Sequence, residues 1–160
     1  MRNYRQIALV VSDLEKTMGH WWNVLGIGPW DVRHFTADRV RDFQVDGRPV
    51  DEAFDFICAV CWVGDLEFEL IQPIKGANIY WRHLETKGEG LHHIKDVMPN
   101  EEIPAALAAL KAKGYAVIQT GWIDDDVHYY LDTQDHLGLV YEIGNGGKIS
   151  PPERRYPATS

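Results

Sequence analysis

The sequence predicts an α+β fold in which the order strand, helix, strand, strand, strand is used twice. Two observations carry this expectation. A strand leads into an amphipathic helix at two places in near register, with Gln6 falling over His93 at an offset of 87 residues and Gly26 over Gly114 at 88. Each helix is then followed by a strand-rich stretch. The 160 residues suit a single domain made of two half-size units that share a core.

The elements follow in chain order. Residues 6–11 alternate as a first strand. In Ser12-Asp13-Leu14-Glu15, Ser and Glu stand three apart as a capping box does. Leu14, Met18, Trp21, Trp22 and Leu25 then recur at helical spacing until Gly26 supplies a stop. Strands at 30–35, 56–62 and 66–71 complete the first unit, and the charged stretch 36–55, with Gly47 and Pro49, is expected to be a long loop or hairpin edging the site. Asn78 can cap a short helix over 79–87 that stops at Gly88. The second unit opens at 93–97 and passes through Pro99-Asn100 into a helix whose stripe is Ile103, Leu107 and Leu110, ending at Gly114. Pro104 is tolerated there because first-turn amides have no intrahelical acceptor to lose. Strands at 116–118, 127–131 and 139–143 follow. The domain is expected to span 1–145, as units of about 4–75 and 90–145, with an irregular tail over 146–160.

Composition narrows the function classes. Hydrophobic residues make up 45% and charged ones 25%, an ordinary globular mix, and the net charge is −8 with no basic cluster. Nucleic acid and anionic membrane surfaces are therefore disfavoured as partners. No apolar run approaches the ~18 residues of a membrane span, and Met1-Arg2-Asn3-Tyr4-Arg5 leads into a strand rather than a secretory signal, so a soluble, cytoplasmic protein is expected. Cys58 and Cys61 have C-x-x-C spacing, but on a strand residues three apart face opposite ways and no second ligand pair exists, which favours two core cysteines over a redox or zinc motif.

Alternation decides which polar side chains meet. With Leu66, Phe68 and Leu70 on one face, Glu67, Glu69 and Ile71 take the other. With Leu139, Tyr141 and Ile143 packed inward, Glu142 faces the same way as Glu69. Gln6 and His93 point to that face from the two opening strands. An amide oxygen, an imidazole and two carboxylates suit one divalent ion such as Zn, Co, Ni, Mn, Fe or Mg. An octahedral ion would keep two positions open, which favours catalysis. Each residue alone has a plainer reading: Gln6 as a strand-end polar residue, Glu142 as an edge residue facing solvent.

At these residues the chain resembles the vicinal oxygen chelate superfamily, the fold of glyoxalase I, methylmalonyl-CoA epimerase, extradiol dioxygenases and bleomycin-resistance proteins. The likeness spans roughly 4–145. Its most specific parts are Glu69-Leu70-Ile71-Gln72-Pro73, Ile79-Tyr80 and Gly88-Glu89-Gly90-Leu91-His92-His93-Ile94, which are similar to the epimerase branch, together with Tyr130-Leu131-Asp132-Thr133 and the run from Gly138 to Glu142. The resemblance implies paired βαβββ modules forming a cupped, incompletely closed mixed β-sheet barrel with helices outside, around one metal held by Gln6, Glu69, His93 and Glu142. Two departures stand out. The epimerases usually open with His-Ile where this chain has Gln6-Ile7, an order closer to the ligand set of eukaryotic glyoxalase I. Lys95 also shares the face of His93, where it either binds a substrate carboxylate or phosphate, acts as an acid, or reaches water.

The chemistry implied is proton transfer next to a carbonyl through a metal-chelated enolate, as in an isomerase or lyase of the epimerase or glyoxalase type, with Glu142 and Glu69 as candidate bases and Lys95 and Tyr130 as candidate substrate-binding residues. Asp51 and Glu52 lie in the stretch where a second base could sit. A small-molecule substrate and a homodimer are expected. The alternatives are a non-catalytic binding or resistance protein whose cup, lined from six Trp and seven Tyr, sequesters an aromatic ligand, and a metal-dependent lyase or ring-opening enzyme of secondary metabolism or aromatic catabolism. Arg33, Arg39, Arg41, Arg48, Lys75 and Arg82 are available for phosphates without forming a motif.

Overall fold

The structure, a computed structural model, describes residues 2–158. The elements run β1 (Tyr4–Val10), α1 (Leu14–Leu25), β2 (Trp30–Thr36), β3 (Val40–Val45), β4 (Arg48–Pro49), β5 (Asp55–Val63), β6 (Leu66–Lys75), α2 (Ile79–Lys87), β7 (Gly90–Val97), α3 (Ile103–Lys111), β8 (Val117–Ile123), β9 (Asp126–Leu131), α4 (Gln134–Leu137), β10 (Val140–Gly144) and β11 (Arg154–Tyr156). All strands join one mixed sheet in the order β11-β2-β5-β6-β1-β7-β10-β9-β8-β3-β4. Within it, β1-β6-β5-β2 and β7-β10-β9-β8 repeat one arrangement, and the repeats meet where β1 pairs antiparallel with β7.

The connection from β2 to β3 forces the sheet to curl. Only residues 37–39 separate them, a reach of roughly 14 Å at full extension. Along the sheet the two strands lie eight places apart, or about 38 Å at ~4.8 Å per strand. A flat sheet cannot satisfy both distances, so the strands form a cup. Inside it, Phe35 of β2, Phe43 of β3, Phe56 of β5 and Ile123 of β8 join one cluster with Ile79 and Tyr80 of α2. Outside, α1 lays Leu14 and Met18 on Leu70, Ala59 and Trp30, and α3 lays Ile103 against Tyr141 and Ile143.

Several local expectations shift. The cap of α1 is Asp13, whose side chain accepts from the Lys16 amide, while the Ser12 hydroxyl is taken by Glu89. A carboxylate one residue nearer the helix replaces the hydroxyl. Gly26 does end the helix, in the left-handed conformation that needs no Cβ. The apolar stripe is narrower than its spacing implied, since Leu25 and Trp22 are exposed. The 36–55 stretch holds the hairpin β3–β4, closed by Asp46-Gly47 with φ of 50° and 73°, the Asp-Gly combination a type I′ turn requires. It pairs with β8 of the second repeat and extends the sheet beyond it, and none of its residues lines the cavity inside the cup, so the stretch does not edge the site as expected. The tail is anchored: β11 pairs with β2, and Arg155 reaches Asp31 at 2.7 Å. Cys58 and Cys61 are free and buried in the inner and outer clusters respectively. Among the described residues no helix is long and apolar enough to cross a membrane.

Candidate active site

Strand register aligns the polar side chains into two rows on the concave face. In one, Glu67 of β6, Gln6 of β1, Lys95 of β7, Glu142 of β10 and Tyr130 of β9 stand side by side. In the next row, Glu69 neighbours Ala8, and Ala8 neighbours His93. The repeats correspond position by position: Gln6 matches His93, Glu69 matches Glu142, and Ala8 matches Lys95. A lysine therefore flanks one glutamate where the other has only a methyl group.

The four predicted ligands converge. His93 Nε2 lies 2.9 Å from Glu142 Oε2, 3.2 Å from Gln6 Oε1 and 3.5 Å from Glu69 Oε2. His93 is wholly buried, and the other three line a cavity of about 500 Å³ above it. The Gln6 amide nitrogen donates to Glu67 Oε1, which turns its oxygen toward His93. Glu142 divides its oxygens: Oε1 takes the Lys95 ammonium at 3.1 Å, while buried Oε2 receives no aligned hydrogen bond. Lys95 also lies 3.1 Å from Asp126 Oδ2, so it bridges two carboxylates.

The electrostatics follow from this packing. Burial alone would lower the His93 pKa, but Glu142 and Glu69 raise it to about 9. Burial opposes ionisation of Glu142, yet Lys95 and His93 hold its pKa down to about 2. Lys95 is raised above the ordinary lysine value by Glu142 and Asp126, against its own desolvation. Glu67, desolvated and beside Glu69, is pushed up to about 7. Burial pulls His92 well below the usual histidine value and lowers His128 to about 4.

Tyr130 lines the same cavity, its hydroxyl 3.1 Å from that of Tyr80. Of the six basic side chains set aside for phosphate, only Arg33 lines it. Arg39 is held by Glu153 and Arg82 by Asp46. Arg5, absent from that set, lies at the cavity instead. Asp51 and Glu52 are exposed and line none of it. The aromatic lining is Phe35, Phe56, Tyr80, Tyr130 and, of the tryptophans, Trp62. Four further polar side chains that sequence reasoning does not single out line the cavity: Asp31, Glu67, Asp126 and His128. Glu67 was on the right face two residues before Glu69, and Asp126 and His128 alternate with Tyr130 on β9, so the period of two pointed to each.

Among the described residues no three His, Cys, Asp and Glu side chains already stand at metal-ligating geometry. The donor set nonetheless fits a divalent cation. Glu142 Oε2 is a buried carboxylate oxygen that meets His93 Nε2 at 2.9 Å without an aligned hydrogen bond, Gln6 Oε1 is oriented by Glu67, and Glu69 Oε2 faces the same nitrogen.

A cupped sheet of two βαβββ repeats with polar side chains from both halves meeting at its floor defines the vicinal oxygen chelate fold. The family model described as "Glyoxalase/Bleomycin resistance protein/Dioxygenase superfamily" matches residues 5–130, and the chain belongs to that superfamily. Among solved structures, the methylmalonyl-CoA epimerase of Mycobacterium tuberculosis is similar at a TM-score of 0.60 and 13% identity, covering 92% of this chain and 88% of that one. A methylmalonyl-CoA epimerase solved with methylmalonyl-CoA and NH4+ is similar at 0.63 and 15%, covering 95% and 99%. A mutant 4-hydroxymandelate synthase from Streptomyces coelicolor is similar at 0.61 and 13%, covering 94% of this chain and 51% of that one. These likenesses show a shared fold. One curated relative, the phenylalanine–tRNA ligase alpha subunit of Methanocaldococcus jannaschii, is 40% identical over 58 residues; the chain spans 12% of its length.

Proposed function

We propose that the protein is a metal-dependent isomerase or lyase that moves a proton on the carbon beside a carbonyl. One observation carries the reading: oxygens of Gln6, Glu69 and Glu142 all lie within 3.5 Å of His93 Nε2, at the floor of a cavity large enough for a small molecule. Gln6 Oε1, Glu69 Oε2, His93 Nε2 and Glu142 Oε2 would hold one divalent ion, with Zn, Co, Ni, Mn, Fe and Mg all compatible with the donors. Such an ion supplies Lewis acidity to two adjacent substrate oxygens, lowering the cost of negative charge when the neighbouring proton leaves.

The chain's own residues divide the remaining work. Glu142, pinned by Lys95, serves as a ligand more readily than as a base. Glu69 has no lysine beside it and its side chain reaches the cavity surface, so it takes the proton and returns it. Lys95 and Tyr130 face the substrate from the adjoining strands, and Phe35 and Phe56 wall the opposite side against water. Arg5 and Arg33 line the cavity as cations for an anionic group on the substrate.

The test is deuterium wash-in from D2O at the α-carbon of methylmalonyl-CoA and of glutathione hemithioacetals, with one equivalent of each divalent metal. Exchange that is lost in Glu69→Gln supports the reading. No metal uptake and no exchange with either substrate class defeats it. The aromatic wall favours a second reading, capture of an aromatic ligand without catalysis, under which Glu69→Ala leaves ligand affinity unchanged. A cytoplasmic homodimer is expected, and light scattering reports the oligomer directly.

A further inference from the structure

Adjacent residues on a strand face opposite ways, yet the rings of His92 and His93 both turn into the cup. The cause is a slip in register: Ala8 pairs with His93 and Leu9 with Leu91, so His92 is the extra residue of a β-bulge. Its Nδ1 comes to 2.8 Å from His93 Nδ1, with the two rings nearly perpendicular. The His92 ring is almost fully buried and is met edge-on by Tyr80, His83 and Tyr130, which hold its orientation.

Two imidazole nitrogens at that distance require one to donate and the other to accept. His93 Nε2 is the nitrogen that faces Gln6, Glu69 and Glu142. A cation there needs the Nε2 lone pair, and a neutral imidazole has one lone pair and one proton, so the proton belongs on Nδ1. We infer that His92 is a positioning residue: its Nδ1 accepts the His93 Nδ1–H, fixing the tautomer that leaves Nε2 free for a divalent cation. This rests on the proposed metal site. Metal-ligating histidines commonly donate their second N–H to a carboxylate or carbonyl. A neutral imidazole acceptor does the same without adding charge beside Glu67, Glu69 and Glu142.

The experiment is long-range ¹⁵N–¹H correlation NMR of metal-free and zinc-titrated protein, with zinc dissociation constants for wild type, His92→Phe and His92→Asn. Phe keeps a ring and removes the acceptor. Asn places an amide oxygen where Nδ1 stood. In wild type the His93 Nδ1 proton is expected with zinc and, in the metal-free protein, at a pH above the His93 pKa of about 9, where the ring is neutral and only one nitrogen carries a proton. Zinc affinity should fall roughly 10- to 100-fold in His92→Phe and recover most of the loss in His92→Asn. A bare His93 Nδ1 in wild type, or equal zinc affinity in His92→Phe, overturns the inference. Should His92→Phe fail to fold, the wild-type tautomer and His92→Asn still decide. If wild type takes up no zinc, the metal reading fails, while the Nδ1 proton in the metal-free protein continues to decide the role of His92.

Discussion

Replacing Lys95 with Met should be the most damaging single change at the cup floor for stability. The ammonium lies 3.1 Å from Glu142 Oε1 and 3.1 Å from Asp126 Oδ2, with the three side chains only 11%, 2% and 7% exposed. At an effective dielectric of about 20 each pair attracts by about 5 kcal/mol, most of it offset by desolvation. Removing the ammonium keeps the desolvation of two carboxylates and deletes their counter-ion, which costs about 3–5 kcal/mol. For a chain of this size that lowers Tm by about 6–20 °C. Thermal and urea unfolding followed by circular dichroism, in chelator so that no cation substitutes for the lysine, gives the value. Adding Glu142→Gln to Lys95→Met removes one stranded carboxylate, so the double variant should lose less than the sum of the singles. A loss below about 1 kcal/mol for Lys95→Met, the range of an exposed pair, would refute the reasoning.

Three further outcomes are expected. Glu67→Ala frees the Gln6 amide to rotate and should weaken divalent-cation binding roughly 10- to 100-fold by calorimetry; unchanged affinity would mean that Gln6 needs no orienting partner. Asp96 accepts from the Tyr141 hydroxyl at 2.6 Å, the Asn3 amide at 2.7 Å and Arg2 at 3.0 Å; burial works against ionisation, but these donors hold its pKa below the usual carboxylate range. Its contribution is therefore present above the unfolded value of about 3.9 and is lost as pH falls through the folded one. Asp96→Asn should cost about 2–3 kcal/mol at neutral pH, with the difference from wild type closing in acid; a constant difference across pH would contradict the linkage. Gly144→Ala places a Cβ on Lys95 Cε and 2.8 Å from the Val127 carbonyl, an overpacking that should cost about 1–3 kcal/mol in the same unfolding assay.

What could be read from the sequence was whatever follows strand and helix periods. The period of two put Gln6, Glu69, His93 and Glu142 on one face, and the structure brings those four to one point. Asn78, Gly88 and Gly26 marked helix ends correctly because cap chemistry is local. Non-local features stayed hidden. The hairpin at 40–49 pairs with a strand more than 70 residues away, and nothing in its own residues names that partner. The tail's glycines and prolines look loose in isolation, yet β11 closes against β2. The bulge at His92 breaks the alternation that any pattern argument assumes, so the period of two gives His92 no place on the concave face. Glu67 and Asp126 were visible by alternation but lacked a reason to be singled out until their partners, Gln6 and Lys95, stood beside them.

Four side chains from the two repeats should grip a single divalent cation. Mass-spectrometric metal analysis of protein dialysed against each divalent ion tests this directly, run on wild type, Glu69→Gln, His93→Gln and Glu142→Gln. One ion per chain is expected in wild type, with a clear loss of occupancy in each variant. A wild-type protein that emerges without a divalent ion, or variants that retain it undiminished, would contradict the claim.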